Sequence, residues 1–132
     1  MGSNAMSMKT ISVENAPKAI GPYAQGIVAG GFLFTAGQVA LDPATMKLVE
    51  GDVAAQTRRV FDNLEAVLRG AGATFADVVR AGVFLVDMAD FAKMNEAFAA
   101  RFGSHRPART TVAVAALPAG ARVEIDLVVR VG

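Results

Sequence analysis

The stretch RVEIDLVVRV, residues 122–131, decides the fold because apolar residues alternate along it with charged ones. Successive side chains of a β-strand point to opposite faces of its sheet, so this alternation is typical of a strand with one face in a core. Glu124 and Asp126 would share the second, acidic face. The residues expected on the core face are Val123, Ile125, Leu127, Val129 and Val131.

A core face of this kind must be covered, and the clearest predicted helix begins after Asp52. Asp52 stands where an N-cap belongs, and Gly70 and Gly72 are expected to end the helix. Apolar and small residues recur there at steps of three and four, which is one face of a 3.6-residue period. These residues are Val53, Thr57, Val60, Phe61, Leu64, Val67 and Leu68.

A second helix is predicted over about Met88–Phe102, with Asp87 or Asp90 as its cap and Gly103 as its end. Its apolar stripe is formed by Phe91, Met94, Phe98 and Phe102. Asn95 falls within that stripe. A buried amide needs hydrogen-bond partners, so Asn95 is either a core asparagine bonded to backbone or a residue that supports a site between helix and sheet.

The remaining segments predict strands joined by loops. Two prolines and several glycines make residues 15–26 a loop, and residues 41–52 are similarly turn-rich. The expected strands are 9–13, two within 27–37 around a turn at Gly30–Gly31, 79–87 buried on both faces, 109–114 and 122–131. This order predicts an α+β fold in which a mixed six-stranded β-sheet carries two helices packed on one face.

Composition excludes several classes of protein. The 132 residues suit one domain, and the opening MGSNA, residues 1–5, is expected to be a remnant of an expression vector, with a natural start at Met6. No cysteine and one histidine exclude the usual zinc sites. A net charge of +1 does not favour nucleic-acid binding, and no segment suits a membrane helix. An apolar content of 53% is explained either by an ordinary core or by an oligomer interface.

Arg109 stands at the mouth of an apolar strand, in SHRPARTTVAV, residues 104–114. Its guanidinium matches a carboxylate bidentately, and Pro107 limits the flexibility of the approach. Alternation places Arg109 on the same face as Thr111. If the last two strands form a hairpin, that face is shared with Glu124 and Asp126. Arg109 is then an anion-binding residue or one half of a surface ion pair.

Two further segments suggest a site, each with an ordinary alternative. Tyr23, the only tyrosine, lies in GPYAQG and either seals an edge of the core or offers its polar tip to a ligand. Ala36 and Gly37 lie in TAGQ at the end of a strand. There the glycine either makes an ordinary turn or lets the backbone approach another group closely.

Five separated motifs occur together over nearly the whole chain, from about Lys9 to Val131. They are ENAPKAIGPYAQG, FLFTAGQ, DNLEAVLRGAGATFADVV, PARTTV and VEIDLVV. In these motifs the sequence resembles the Rid family of enamine and imine deaminases. The resemblance implies a chorismate-mutase-like fold in a single Rid-like domain (residues 6–132), a cytoplasmic homotrimer, and sites in the clefts between subunits. It also implies hydrolysis of reactive 2-imino acids to 2-oxo acids and ammonia, without metal or cofactor.

The resemblance also assigns roles to residues. It implies that Arg109 binds the substrate carboxylate, that Tyr23 contributes to catalysis, and that Glu124 lies near the attacking water. Asn95 and the TAGQ segment would line the site. The chain departs from the family pattern at Ala36, where serine is common, and at Thr111, where cysteine is common. These departures bear on which substrate side chain is preferred.

Two other functions stay open at this stage. A trimeric regulatory protein could bind small carboxylates in the same pocket without turnover, and release of ammonia from 2-iminopropanoate would separate the two. Binding or cleavage of RNA is the third class. The near-neutral charge and the single histidine argue against it.

Overall fold

The structure, a computed structural model, describes residues 7–132, so the expected vector remnant and the expected start at Met6 lie outside the described residues. Strands and helices follow in the predicted order of three strands, a helix, a strand, a helix and two strands. Their bounds are β1 Met8–Ile11, β2 Gly26–Ala29, β3 Phe32–Thr35, α1 Val53–Gly70, β4 Val78–Leu85, α2 Phe91–Phe102, β5 Ala108–Ala113 and β6 Val123–Arg130.

Helix α1 begins and ends where the sequence predicts. The Asp52 carboxylate accepts a hydrogen bond from Ala55 N at 3.0 Å, which satisfies one of the free amides of the first turn. The helix runs through Gly70, and Gly72 then takes a φ of 74°, in the left-handed region that glycine adopts without strain. Within residues 7–132, no helix is long and apolar enough to cross a membrane.

Helix α2 begins three residues later than predicted. The chain first makes a 3₁₀ turn at Met88–Asp90, capped by Asp87, whose side chain accepts from Ala89 N. Asp90 does not cap the helix because its carboxylate is bound by Arg122 instead. The end of the helix is as predicted, with Gly103 at a φ of 64°.

The sheet order is β1-β2-β3-β6-β4-β5. All neighbours are antiparallel except β4 and β5. The hairpin considered for the last two strands therefore does not form, because β5 pairs with β4 and not with β6. Helix α2 carries the chain back along the sheet, as parallel neighbours require, so that β5 joins β4 at the sheet edge. The final strand β6 then enters the centre, between β3 and β4.

One side of the sheet, here called the helix face, packs against α1 and α2. Its buried residues include Leu33, Val83, Val123, Ile125, Leu127 and Val129, in contact with a core that contains Phe61 and Phe98. The predicted core face of the last strand is thus confirmed. Edge-to-face contacts of Phe61 with Phe98 and Phe102, at centroid distances of 5.5 Å, close this core.

No element within residues 7–132 covers the other side of the sheet, here called the open face. It carries Phe34, Phe84, Val112, Glu124, Asp126 and Val128. The prediction that strand 79–87 is buried on both faces is wrong, because Val79 and Arg80 are exposed beside a bulge between Val78 and Arg80. Phe34 remains 48% exposed and Val112 40% exposed. Such an apolar surface is typical of an interaction site.

Candidate active site

A pocket of about 420 Å³ opens on the chain beside the start of β6. It brings together four predicted site residues, Tyr23, Ala36, Gly37 and Glu124. The rest of its lining is mostly apolar, as ligand pockets commonly are. The lining residues are Pro17, Lys18, Ile20, Tyr23, Ala36, Gly37, Gln38, Val39, Leu41, Met46, Pro118, Ala119 and Glu124.

Glu124 reaches this pocket because it points to the open face, directly opposite the core side chains of β6. The segment after β3 is fixed beside it, since Gln38 N donates to Ile125 O at 2.9 Å and Ile125 N donates to Gln38 O at 3.1 Å. A Cβ on Gly37 would lie 2.8 Å from Glu124 Cδ and closer still to Oε2. The prediction that Gly37 permits a close approach is confirmed, and the approaching group is the Glu124 carboxyl.

The electrostatic surroundings of Glu124 favour its neutral form. Burial raises the pKa of the Glu124 carboxyl, and the nearby charge of Asp126 raises it further. Glu124 makes no ion pair within residues 7–132. A carboxyl whose pKa is raised toward neutrality is suited to exchanging protons with a bound molecule.

Tyr23 lies on the loop before β2 and is 51% exposed. The turn that presents it is local: Tyr23 N donates to Gly21 O at 2.8 Å, and the phenol oxygen accepts from Ile20 N at 3.4 Å. The ring lines the pocket rather than sealing the core. Tyr23 is therefore part of the pocket lining, and a contact of its hydroxyl group with a ligand stays a prediction.

The loop wall that contains Pro17 is held by the buried amide of Gln25. Gln25 Oε1 accepts from Val13 N at 2.6 Å, and Nε2 donates to Val13 O at 3.1 Å and to Pro17 O at 2.9 Å. These bonds fix a segment without regular secondary structure against the start of β2. One wall of the pocket is thereby pre-formed.

The wall that contains Pro118 and Ala119 is held by charged and polar side chains at its end. Arg122 donates to the Asp90 carboxylate through Nε at 3.0 Å and through Nη2 at 2.9 Å, a bidentate pair. Arg122 N also donates to Gln56 Oε1 at 2.9 Å. These contacts tie the entry of β6, and hence Glu124 two residues later, to both helices.

Arg109 is not in this pocket, and it does not share a face with Glu124 as a hairpin of the last two strands would have allowed. In the β4–β5 pairing Arg109 stands opposite Ala81, a buried residue of the helix face, whereas Glu124 pairs with Phe84 of the open face. The parallel docking of β5 on β4, instead of a hairpin with β6, places the two residues on opposite sides of the sheet.

The Arg109 guanidinium lies over aromatic rings of α2 and not against a carboxylate. Its Cζ is 4.7 Å from the ring centre of Phe98 and 5.6 Å from that of Phe91. The surface ion pair considered for Arg109 is absent among residues 7–132. Burial lowers the pKa of the guanidinium, yet arginine stays charged in proteins. The Arg109 guanidinium therefore packs on aromatic rings. Its N–H groups make no bond to a carboxylate within residues 7–132.

Thr111 accompanies Arg109 on the helix face, opposite Val83 of β4. Its hydroxyl is buried and has no hydrogen-bond partner within the described residues. Buried hydroxyl groups without a partner are uncommon and call for an explanation. A polar group supplied from outside the chain would satisfy it.

Asn95 is exposed, so its predicted place in the buried stripe of α2 is wrong. The buried side of the helix is centred on Met94 and Phe98 and extends toward half-buried Ala97 and Arg101. Asn95 lies beyond the opposite edge of that side. Its amide makes no hydrogen bond within residues 7–132, so no contact in one chain links it to the pocket.

Comparisons with known proteins agree with this fold. The model of the family described as endoribonuclease L-PSP matches residues 13–131. The protein DfrA of Myxococcus xanthus is 51% identical over 125 residues, covering 93% of this chain and 95% of its own. The 2-iminobutanoate/2-iminopropanoate deaminase of Escherichia coli K12 is 44% identical over 123 residues, covering 91% and 95%.

Solved structures show the same architecture. A Yersinia pestis protein of the conserved Rid family superposes with a TM-score of 0.92 at 42% identity, covering 95% of this chain and all of its own. The RidA protein of a Psychrobacter species gives a TM-score of 0.89 at 42% identity, covering 93% and 99%. The chain belongs to the Rid family, which includes the proteins described as endoribonuclease L-PSP.

Three polar residues that hold the pocket walls were not predicted for that role: Gln25, Asp90 and Asn63, whose Nδ2 donates to Leu41 O at 2.9 Å. For Asn63 a signal exists: it lies three residues after Val60 and four before Val67, within the apolar stripe of α1. A polar residue at such a position must find buried partners. Gln25 lies in a loop segment without periodicity, and Asp90 was predicted only as a possible helix cap, so nothing local indicated the wall contacts of either residue.

Proposed function

We propose that this protein hydrolyses 2-imino acids and their enamine tautomers, such as 2-iminopropanoate and 2-iminobutanoate, to 2-oxo acids and ammonia. The observation that carries the proposal is the half-buried Glu124 carboxyl, held against Gly37 in a mostly apolar pocket beside Tyr23. A relative 44% identical over nearly the whole chain bears the name of this reaction.

Glu124 would orient a water molecule and accept its proton as the water oxygen attacks the imine carbon. The nitrogen takes the proton from Glu124 as the C=N double bond becomes a single bond. The resulting carbinolamine then passes its hydroxyl proton to the nitrogen by way of Glu124, so that the C–N bond breaks, ammonia leaves and the C=O bond of the 2-oxo acid forms. A general base works best when its pKa lies near the working pH, and burial shifts Glu124 in that direction. Tyr23 would hydrogen-bond the reacting groups at the same pocket. This chemistry needs no metal or cofactor.

Arg109 would bind the substrate carboxylate, but from a neighbouring copy of the chain. Because Arg109 and Glu124 lie on opposite faces of one sheet, a single chain does not present both to one small molecule. A homotrimer in which the β5 edge of one copy meets the pocket of the next would bring them together. The exposed apolar residues of the open face support such an assembly. Thr111 would then find a polar partner in the same cleft.

Ammonia release tests this function. The wild type should release ammonia from freshly generated 2-iminopropanoate faster than buffer does, and Glu124→Gln should lose most of that rate. Glu96→Gln changes an exposed glutamate of α2 and should behave as wild type. Binding of pyruvate without ammonia release would indicate the regulatory alternative. Because the family description names an endoribonuclease, the same preparations are incubated with single-stranded RNA, and cleavage of RNA without ammonia release would overturn the proposal.

A further inference from the structure

Asn63 is a fully buried amide in the middle of α1, and every hydrogen-bonding position it has is used. Its Nδ2 donates to Leu41 O at 2.9 Å and to Val39 O at 3.3 Å. Its Oδ1 accepts two bonds from Arg59, one turn earlier, through Nε at 3.1 Å and Nη2 at 2.8 Å. A side-chain amide offers two donors and two acceptor positions, so none is left free.

The Arg59 guanidinium also fixes which way the Asn63 amide points. If the amide were reversed, its NH₂ group would face a guanidinium that can only donate, and its oxygen would face two carbonyl oxygens. Both contacts would be repulsive. The orientation that presents both donors to the loop is therefore the only one this network satisfies.

The two carbonyl groups that Asn63 binds belong to the apolar wall of the pocket, here defined as Val39, Leu41 and Met46. This wall lies between β3 and α1, outside regular strands. The Gln38–Ile125 bridge ties its start to β6, and the Leu41–Leu48 bridge and Val49 N donating to Ala40 O at 2.9 Å join the loop to itself. Asn63 is the side chain that joins it to the rigid helix.

We propose that Asn63 is a positioning residue that sets the apolar wall and thereby selects substrates by the size of their apolar side chain. The substrate class rests on the function proposed above, whereas the contacts of Asn63 do not. The wall would contact a long side chain, while the carboxylate and the imine carbon meet Arg109 and Glu124. Releasing the wall should therefore weaken binding of large substrates selectively.

The test compares Asn63→Asp and Asn63→Ala with Thr57→Val. Asn63→Asp keeps an acceptor for Arg59 but removes both donors, and Asn63→Ala is a milder change that leaves room for water. Thr57→Val is the matched control: Thr57 is also fully buried on α1, and its hydroxyl donates to Val53 O at 2.7 Å within the helix, away from the pocket.

Calorimetric binding of two unreactive 2-oxo acids gives the decisive readout. In the Asn63 variants, the affinity for 4-methyl-2-oxopentanoate should fall by about tenfold, the upper range for one lost hydrogen bond. Affinity for pyruvate should change by less than about twofold, because its methyl group is too short to depend on the wall. Thr57→Val should change neither affinity. Equal losses for both acids, or losses matched by Thr57→Val, would overturn the proposal and leave Asn63 a purely structural residue.

Hydrogen–deuterium exchange provides a readout that does not depend on the reaction. Backbone amides of residues 38–49 should exchange faster in the Asn63 variants and at the wild-type rate in Thr57→Val; unchanged exchange would refute the role of Asn63. A wild type that binds both acids but releases no ammonia would refute the proposed function alone. A wild type that binds neither acid would remove the pocket assignment and this inference with it.

Discussion

The two faces of the sheet hold opposite charges in different surroundings. On the helix face, Arg109 lies over two aromatic rings; on the open face, Glu124 lies beside Gly37. Neither residue makes an ion pair within residues 7–132. An adjacent arginine would lower the pKa of Glu124 and weaken it in proton transfer. Because the two groups lie on opposite faces, they do not pair with each other within the described residues.

A second contrast lies within the open face, two residues further along β6. Asp126 also faces a glycine, since a Cβ on Gly82 would overlap its carboxyl group. Burial raises the pKa of Asp126 as well, but backbone N–H of Gly82 and the charge of Arg80 act against that increase. None of the groups acting on Glu124 lowers its pKa. The two carboxyls therefore differ in that only the increase in the pKa of Asp126 is opposed by its neighbours.

Of the substitutions that test the two faces, Arg109→Ala should cause the largest decrease in kcat/KM. If Arg109 binds the substrate carboxylate, the loss of a charge-assisted pair of roughly 1.5 to 3 kcal/mol lowers kcat/KM by about ten- to a hundredfold. Lost alignment should add to this. Arg109→Lys keeps the charge without the fork and should fall between alanine and wild type. The melting temperature is the control, since losing the contact with Phe98 should cost only about 0.5 to 1 kcal/mol.

Assemblies that contain both variants then test whether Arg109 of one copy and Glu124 of a neighbouring copy form a single site. When Arg109→Ala and Glu124→Gln chains are combined in equal amounts and reassembled, about a quarter of the sites in a symmetric assembly should carry both native residues. Activity should return from near zero to about that fraction of wild type. Absence of recovery in verified mixed oligomers, or near-wild-type activity of properly folded Arg109→Ala, would contradict the shared site.

Gly37→Ala tests whether the close approach of Gly37 to Glu124 matters more for turnover than that of Gly82 to Asp126. The backbone at Gly37 does not need the left-handed region, so the fold should tolerate alanine while the Glu124 carboxyl is displaced. A misplaced catalytic group can cost about ten- to a hundredfold in kcat/KM. Gly82→Ala, which displaces Asp126 instead, should reduce turnover far less. Equal losses in both variants, with oligomeric state unchanged, would remove the distinction between the two carboxyls.

The sequence predicted most of the fold, because alternation in residues 122–131 and the helical period of residues 53–70 are local signals. It did not predict which strands pair, since β5 and β6 are consecutive in the chain and yet β4 lies between them in the sheet. That one pairing moved Arg109 away from Glu124. The sequence did predict four residues of the pocket, because they lie in motifs that resemble those of the Rid family. These residues are Tyr23, Ala36, Gly37 and Glu124.

The pH dependence of turnover should separate the roles of Glu124 and Asp126. As a base Glu124 must be ionised, so kcat/KM should fall as the pH decreases through a pKa raised above the usual value of 4.5. Asp126→Asn removes a like charge and should move this acid limb to lower pH. Glu96→Gln should leave the limb in place. An acid limb that Asp126→Asn does not move would mean that the two carboxyls are not coupled.

Thermal stability should show the smallest effect, with a sign opposite to that for activity. Because the pKa of Glu124 is raised in the folded chain, its stabilising contribution is complete below the unfolded pKa and is lost as the pH rises through the folded pKa. At pH 7 the ionised, half-buried carboxylate therefore opposes folding. Glu124→Gln should melt at a higher temperature than wild type at pH 7, and the difference should shrink as the pH falls toward 4. Thermal melts of both proteins across that range measure it, with Glu96→Gln as the surface control. A lower melting temperature for Glu124→Gln at pH 7 would show that the ionised carboxylate has a stabilising partner in the assembled protein. Glu124 would then not be an unpaired carboxylate that can bind a substrate or water.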